Sequence, residues 1–314
     1  MSKHFLIPAA AFLAAPLAAQ SVQHHVALDE PNNVISWDVS TSLGSVNVSP
    51  NTFKIGGTVE LLLDQSSAPF TSGSLNGAVA FTNPTTLSGE IPNPIFFLPP
   101  LATFDLKNME FHLASPSFAI DALGNFTAMI TLTTTAGTNT MGGLFGSGTE
   151  PIAGILSPPT AVNGTVTQSG STITFSLDMD ITVTLVDPGT GVSSDINFDG
   201  PLDGFCDTAD AGAFHLDALL PMNVGPNSLA FTGATPSGPV FLAGSLAGLG
   251  STAIPSMGVT LGINGPQLAG TSSADASGNG SFSVAAPGSM VGRSVWLQAV
   301  VNGDTSNVIG TWIE

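Results

Sequence analysis

Between residues 171 and 185 the chain reads STITFSLDMDITVTL. Ile173, Phe175, Leu177, Met179, Ile181, Val183 and Leu185 fall on one face, and the Thr, Ser and Asp residues between them fall on the other. Side chains alternate across a β-strand, so this period of two over fifteen residues predicts one long strand with a single buried face. Such a strand spans roughly 45 Å at ~3.3 Å per residue. That length implies a large curved sheet or a break by a bulge.

The pattern recurs at Ile35, Trp37 and Val39, and at Val59, Leu61 and Leu63. Phe104 and Leu106 alternate, and Met109, Phe111 and Leu113 continue out of phase. That slip predicts a bulge at Lys107–Asn108. Phe118 and Ile120 lead into ALGN, and Phe126, Ala128, Ile130 and Leu132 lead out, which predicts a hairpin with Gly124 or Asn125 at positive φ. No helical period is sustained from 21 to 190. The expectation is an all-β chain of two antiparallel β-domains: a large sandwich or open barrel over 21–190, and a small β-sandwich over 218–314. Its strands include Leu229/Phe231, Val240/Leu242, Val259/Leu261/Ile263 and Val295/Leu297/Ala299/Val301. Residues 191–217 hold a run of aspartates without a basic residue and read as an acidic linker. One short helix is expected within DTADAGAFHLDALL.

The C-terminal stretch TSSADASGNGSFSVAAPGSMVGRSVWLQAVVNGDTSNVI, 271–309, carries a DASGN turn, an SFSV strand, a proline–glycine corner, VWLQAVV and a terminal SNV strand. With GPVFLAGSLAG before it, this region resembles the C-terminal β-domain of secreted proteins of planctomycete-type bacteria. The resemblance covers about the last 90 residues. It implies an accessory domain on an exported protein and supplies no catalytic residue.

Charge narrows the partners. Only 8% of residues are charged, with Lys+Arg 4 against Asp+Glu 22 and a formal charge of −18. Nucleic-acid binding requires clustered cations and is not expected. Anionic membrane surfaces are disfavoured, and divalent cations are plausible partners. Residues 1–20, MSKHFLIPAAAFLAAPLAAQ, pair a basic start at Lys3 with an apolar run from Phe5 to Leu17, the pattern of a secretory signal peptide. The run is too short to span a bilayer as a helix. The mature chain is therefore expected to be secreted or held at the cell surface, with no transmembrane segment. Cys206 is the sole cysteine, so no internal disulfide can form, and it reads as a small buried hydrophobe.

The sharpest candidate chemistry is DINFDGPLDGFCD, 195–207. Asp195, Asn197 and Asp199 take alternate positions of a calcium-loop pattern, with Gly200 at the turn, Pro201 offering a carbonyl and Asp203 following. The stretch resembles a dockerin or EF-hand-like calcium loop. It departs where the bidentate acid belongs: Cys206 stands there and Asp207 comes one residue late. The expected role is weak, structural calcium binding. His24 and His25 read as a solvated N-terminal tail, and His112 as a structural residue on the outward face of a strand. G-x-S-x-G and H-E-x-x-H are absent, and the chain has 3 Trp and no Tyr. The expectation is a non-enzymatic protein.

IPNPIFFLPPLATF, 91–104, sets Ile95, Phe96, Phe97 and Leu98 among prolines that cannot serve a central strand. It reads either as a plug over the core, which is preferred, or as a contact for a ligand or partner. Two functions follow. One is a secreted or cell-surface structural or interaction protein, ordered by calcium, whose partner is a protein or polysaccharide. The other is a carrier that encloses an apolar ligand in its N-terminal domain.

Overall fold

A computed structural model describes residues 21–42, 44–95, 97–143, 147–186, 191 and 193–314. The expected signal peptide lies outside the described residues. The chain is all-β. In order, the first fourteen strands are β1 (Val22–Leu28), β2 (Val34–Thr41), β3 (Gly44–Ser45), β4 (Asn47–Ser49), β5 (Thr52–Leu63), β6 (Ser72–Asn83), β7 (Thr86–Ile91), β8 (Ala102–Ala114), β9 (Phe118–Ala119), β10 (Asn125–Gly143), β11 (Gly148–Pro151), β12 (Thr160–Ser169), β13 (Thr172–Val186) and β14 (Ser193–Asp207).

These strands form one antiparallel sheet that closes on itself. The path β10-β12-β13-β14-β1-β5-β6-β8 returns to its start because β8 also pairs with β10, from Thr131↔Ala114 to Gly143↔Ala102. β1 and β2 share one position in the ring. β1 pairs with β5 and β14 near one end, and β2 pairs with the same two strands near the other. The expected long strand is β13, Thr172–Val186, and closing the ring gives its apolar face an interior to line. Phe175, Leu177, Ile181, Phe111, Phe198, Val59 and Leu61 are all buried there. Closure also removes the exposed edges of most long strands. The expected bulge is present. Asn108 has φ 50, and the β8–β10 register slips between Ala136↔Glu110 and Thr138↔Lys107.

Residues 191–217 are not a linker. Ser193–Asp207 is a strand paired with β13 over its whole length, from Val186↔Ser193 to Thr172↔Asp207. Its inward positions carry Ile196, Phe198, Leu202 and Cys206, with Gly200 and Gly204 between them. A Cβ at Gly204 would lie 2.6 Å from Val26 Cγ1, and one at Gly200 would lie 2.7 Å from the Val34 carbonyl oxygen. Glycine stands where β1 and β2 crowd the interior. Pro201 falls where the flank passes from β2 to β1, so no ladder requires its missing N–H. Buried Asn33 closes that gap. Its Oδ1 accepts from Asp203 N at 2.7 Å, and its Nδ2 donates to Asp203 O at 2.9 Å and to Ile55 O at 3.3 Å.

The second domain begins directly after Asp207. The expected helix is only a single 3-10 turn, Thr208–Asp210. Beyond it lie β15 (His215–Leu216), β16 (Gly225–Thr232), β17 (Pro239–Ser245), β18 (Leu249–Ile254), β19 (Val259–Ile263), β20 (Gln267–Ser273), β21 (Gly280–Ala286), β22 (Ser294–Val301) and β23 (Asp304–Trp312). They make sheets β15-β16-β21 and β20-β17-β22-β23 and the pair β18-β19. Phe214, Phe231, Phe282, Leu242 and Leu297 fill the core between them.

Both domains use the same turn. In DALGN, 121–125, Asp121 Oδ1 accepts from Leu123 N at 2.8 Å and Asn125 N at 2.9 Å. In DASGN, 275–279, Asp275 Oδ1 accepts from Ser277 N at 2.7 Å and Asn279 N at 2.9 Å. Gly124 (φ 87) and Gly278 (φ 83) then offer their carbonyls to Val166 N and Ala234 N of a neighbouring segment. The first is not the simple hairpin expected, and neither joins two strands that pair with each other. β9 pairs with β6, and β20 and β21 lie in different sheets, so each turn carries the chain from one pairing partner to another.

The domains are packed together. Ala136 of β10 joins a cluster with Ala243, Leu261, Ile263, Trp296 and Val300 of the second domain. The Trp296 indole N–H donates to Glu110 Oε2 at 2.6 Å, and Ser294 Oγ donates to Thr135 O at 2.9 Å. Trp312 covers Gly154, where a Cβ would lie 3.2 Å from the indole ring. Polar residues on the outer face of the ring are thereby removed from water.

Candidate functional site

β1 sends His24, Val26 and Leu28 inward and His25 outward. His25 is directly opposite Glu60 of β5, whose neighbours Val59 and Leu61 also point inward. On an isolated ring this His–Glu pair would face water. Here β15 lies over it and adds His215. Asn307 holds the residue that follows His215: its Oδ1 accepts from Leu216 N at 2.7 Å, and its Nδ2 donates to Leu216 O at 3.0 Å.

Three donor atoms converge. His25 Nδ1 lies 2.6 Å and His215 Nδ1 3.8 Å from Glu60 Oε2, and donor atoms of all three residues lie within 4.8 Å of one another. Gln23 Nε2 donates to the same carboxylate oxygen at 2.9 Å. On its far side His215 Nε2 lies 3.2 Å from Asp217 Oδ1. These ring contacts are close approaches. None of the four nitrogens of His25 and His215 makes a well-directed hydrogen bond among the described residues. His112 stands beside the group on β8, with its Nε2 buried and similarly unsatisfied. Gly77 makes room there, since a Cβ would lie 3.2 Å from Glu60 Cγ and 3.5 Å from His112 Nε2.

Burial and the Glu60 carboxylate set the electrostatics. Burial pushes His112 down to about 4, against the pull of the Glu60 charge, so His112 is neutral at ordinary pH. Burial would lower His25 as well, but the adjacent Glu60 outweighs it and holds His25 above its ordinary value. Glu110 is raised to about 7 by burial, which exceeds the opposing hydrogen bond from Trp296. Cys206 is buried, and its thiol is pushed up to about 11 by desolvation and by the charges of Asp210 and Asp207. It is a poor nucleophile. Two imidazoles and a carboxylate form a donor set for a borderline divalent metal.

The residues expected to bind calcium are arranged differently. Asp195, Asn197, Asp199, Pro201, Asp203 and Asp207 occupy alternate outward positions of β14. Successive outward residues on a strand are about 7 Å apart. They lie in a row and do not surround one point. Four of the six accept from hydroxyls on or beside β13: Thr184 Oγ1 donates to Asp195 at 2.7 Å, Thr182 to Asn197 at 3.1 Å, Ser176 to Asp203 at 2.5 Å and Ser171 to Asp207 at 2.8 Å. Asp199 faces Asp180 across the β13–β14 ladder. The stretch is an acidic, hydroxyl-laced sheet face, and the geometry of a calcium loop is absent.

The apolar loop is on the surface. Ile95 and Leu98 are partly exposed and Phe97 is 73% exposed, so the plug reading does not hold for them; Phe96 lies outside the described residues. The loop is nevertheless ordered by its own bonds. Asn93 Oδ1 accepts from Ile95 N at 3.0 Å, Asn93 Nδ2 donates to Pro99 O at 3.2 Å, and Leu98 N donates to Ile95 O at 2.9 Å. A shallow outer groove of about 620 Å³ is lined by Ile120 and Phe126 together with the polar residues Asn125, Thr127, Asn163, Ser176 and Asp178.

Sequence reasoning missed Glu60 and His215 and placed His24 and His25 in a tail. The available signal was the alternation of His24, Val26 and Leu28, which continues the strand pattern into the histidines. Burial of the outer face depends on domain docking, and no local pattern encodes that.

No family model matches the chain, and no curated protein matches it. Among solved structures, Escherichia coli alpha-2-macroglobulin activated by porcine elastase aligns with 94% of this chain and 42% of its own, at 10% identity and a TM-score of 0.21. Overlap that slight carries no argument about fold or function. No helix among the described residues is long and apolar enough to cross a membrane.

Proposed function

We propose that the chain is an exported, non-enzymatic interaction protein that presents the 95–98 loop to a protein partner at the cell surface. The observation behind this reading is the exposure of Ile95, Phe97 and Leu98 close together in one hydrogen-bonded loop, whereas the other exposed large apolar residues, such as Leu123, Phe205 and Leu268, stand far apart in the sequence. Exposed large apolar side chains held in a preformed loop lose little entropy on binding and supply most of the contact energy. Export is supported by the signal-like residues 1–20 and by the resemblance of the C-terminal domain to those of secreted bacterial proteins. The ring interior is lined with packed side chains such as Phe126, Phe175 and Phe198, which favours the interaction reading over the apolar carrier.

The test is an Ile95→Ser/Phe97→Ser variant expressed in the native host. Its melting temperature should match wild type, because exposed positions contribute within about 0.5 kcal/mol. It should leave the envelope fraction and appear in the medium. A variant that melts well below wild type, or one that stays on the envelope in wild-type amount, argues against the loop as the contact.

A further inference from the structure

We propose that His25, Glu60 and His215 bind one borderline divalent cation of the Zn²⁺ class, which fastens the second domain to the ring. The ligands come from both sides of the junction: His25 and Glu60 from the paired strands β1 and β5, and His215 from β15. Their donor atoms lie within 4.8 Å of one another. Zinc–nitrogen and zinc–oxygen bonds of about 2.0–2.2 Å put tetrahedral ligand atoms roughly 3.3 Å apart. The present separations from Glu60 Oε2, 2.6 Å to His25 and 3.8 Å to His215, straddle that spacing. Metal binding on this proposal lengthens the His25 contact and shortens the His215 contact.

Two further features point to a metal rather than to a simple histidine–carboxylate contact. His215 is 97% buried, yet its Nδ1, the nitrogen that faces Glu60, has no hydrogen bond, a costly arrangement for an imidazole unless a ligand satisfies it. Its outer nitrogen also lies 3.2 Å from the Asp217 carboxylate, and Gln23 holds Glu60. A carboxylate close behind a histidine and an amide on the carboxylate ligand are the groups from which the outer shell of a metal site is built. A water completes the tetrahedron. Imidazole donors favour zinc and its neighbours and disfavour calcium, which takes oxygen ligands.

The experiment uses residues 21–314, stripped with a chelator and titrated with Zn²⁺ by calorimetry and with Co²⁺ by visible absorption. Wild type should take up one equivalent, show the strong visible bands of tetrahedral Co²⁺, and melt higher when loaded; Ca²⁺ should do none of this. His25→Gln/His215→Gln should weaken binding at least 100-fold. That variant removes groups from a buried junction, so Asp217→Asn, whose side chain is half exposed, provides a second arm and should weaken binding by about 10–100-fold with the fold intact. Absence of saturable binding in wild type overturns the proposal. So does one-equivalent binding that neither variant weakens.

Discussion

Replacing Glu110 by Gln should stabilise the protein, and the gain should depend on pH in a defined direction. Glu110, on β8 and bonded to Trp296 of the second domain, is 8% exposed, and burial lifts its carboxyl from an ordinary 4.5 to about 7. The folded state therefore holds the proton more tightly than the unfolded state. The favourable contribution is complete below pH 4.5 and is lost as pH rises through 7. The difference between those values corresponds to about 3 kcal/mol at pH 8. Glutamine keeps an acceptor for the Trp296 indole N–H and carries no charge, so it escapes the penalty. The wild-type and Gln variants should unfold at similar denaturant concentrations near pH 4.5 and diverge by about 3 kcal/mol at pH 8. Other titrating groups are common to both proteins and cancel in the difference. The assay is urea unfolding of residues 21–314 in chelator at several pH values, followed by tryptophan fluorescence. A difference that stays flat from pH 4.5 to 8 means that Glu110 titrates as in water. The junction between the domains would then be wet, and its description as a buried interface would be wrong.

The shared turn and the domain boundary give two more expectations. Gly124→Ala should cost at least about 1–2 kcal/mol for the left-handed backbone alone, and more because its Cβ would lie 2.4 Å from the Val166 carbonyl oxygen; thermal melting checks this, and an unchanged melting temperature would discredit the turn geometry. A fragment of residues 21–190 lacks β14 and opens the ring between β13 and β1, so it should lack a cooperative transition, whereas 21–207 keeps the ring closed and should melt cooperatively. Cooperative melting by 21–190 would contradict ring closure through β14.

The sequence exposed what local alternation encodes and hid what long-range pairing decides. β13 was legible from end to end because every inward position carries a large apolar side chain. The bulge at Asn108 was legible from a phase slip. β14 has the same alternation, but glycine replaces two inward side chains at 200 and 204, where the interior is already filled by neighbours. Its outward aspartates then dominated the pattern and suggested a loop. Ring closure rests on the pairing of β8 with β10, which no single strand announces. The His25–Glu60–His215 group joins residues 35 and 155 positions apart in sequence, and only the docking of β15 on the outer face brings them together. The apolar loop was unusual in the sequence because of its prolines, and the exposure of Ile95, Phe97 and Leu98 follows from a fold that the sequence pattern did not specify.

The buried junction should make the ring and the second domain behave as one body. Differential scanning calorimetry of residues 21–314 tests it most directly. The buried contacts of Trp296 with Glu110, Ser294 with Thr135 and His215 with Glu60 predict a single transition whose calorimetric and van't Hoff enthalpies agree. Two resolved transitions, each reproduced by one domain alone, would contradict it.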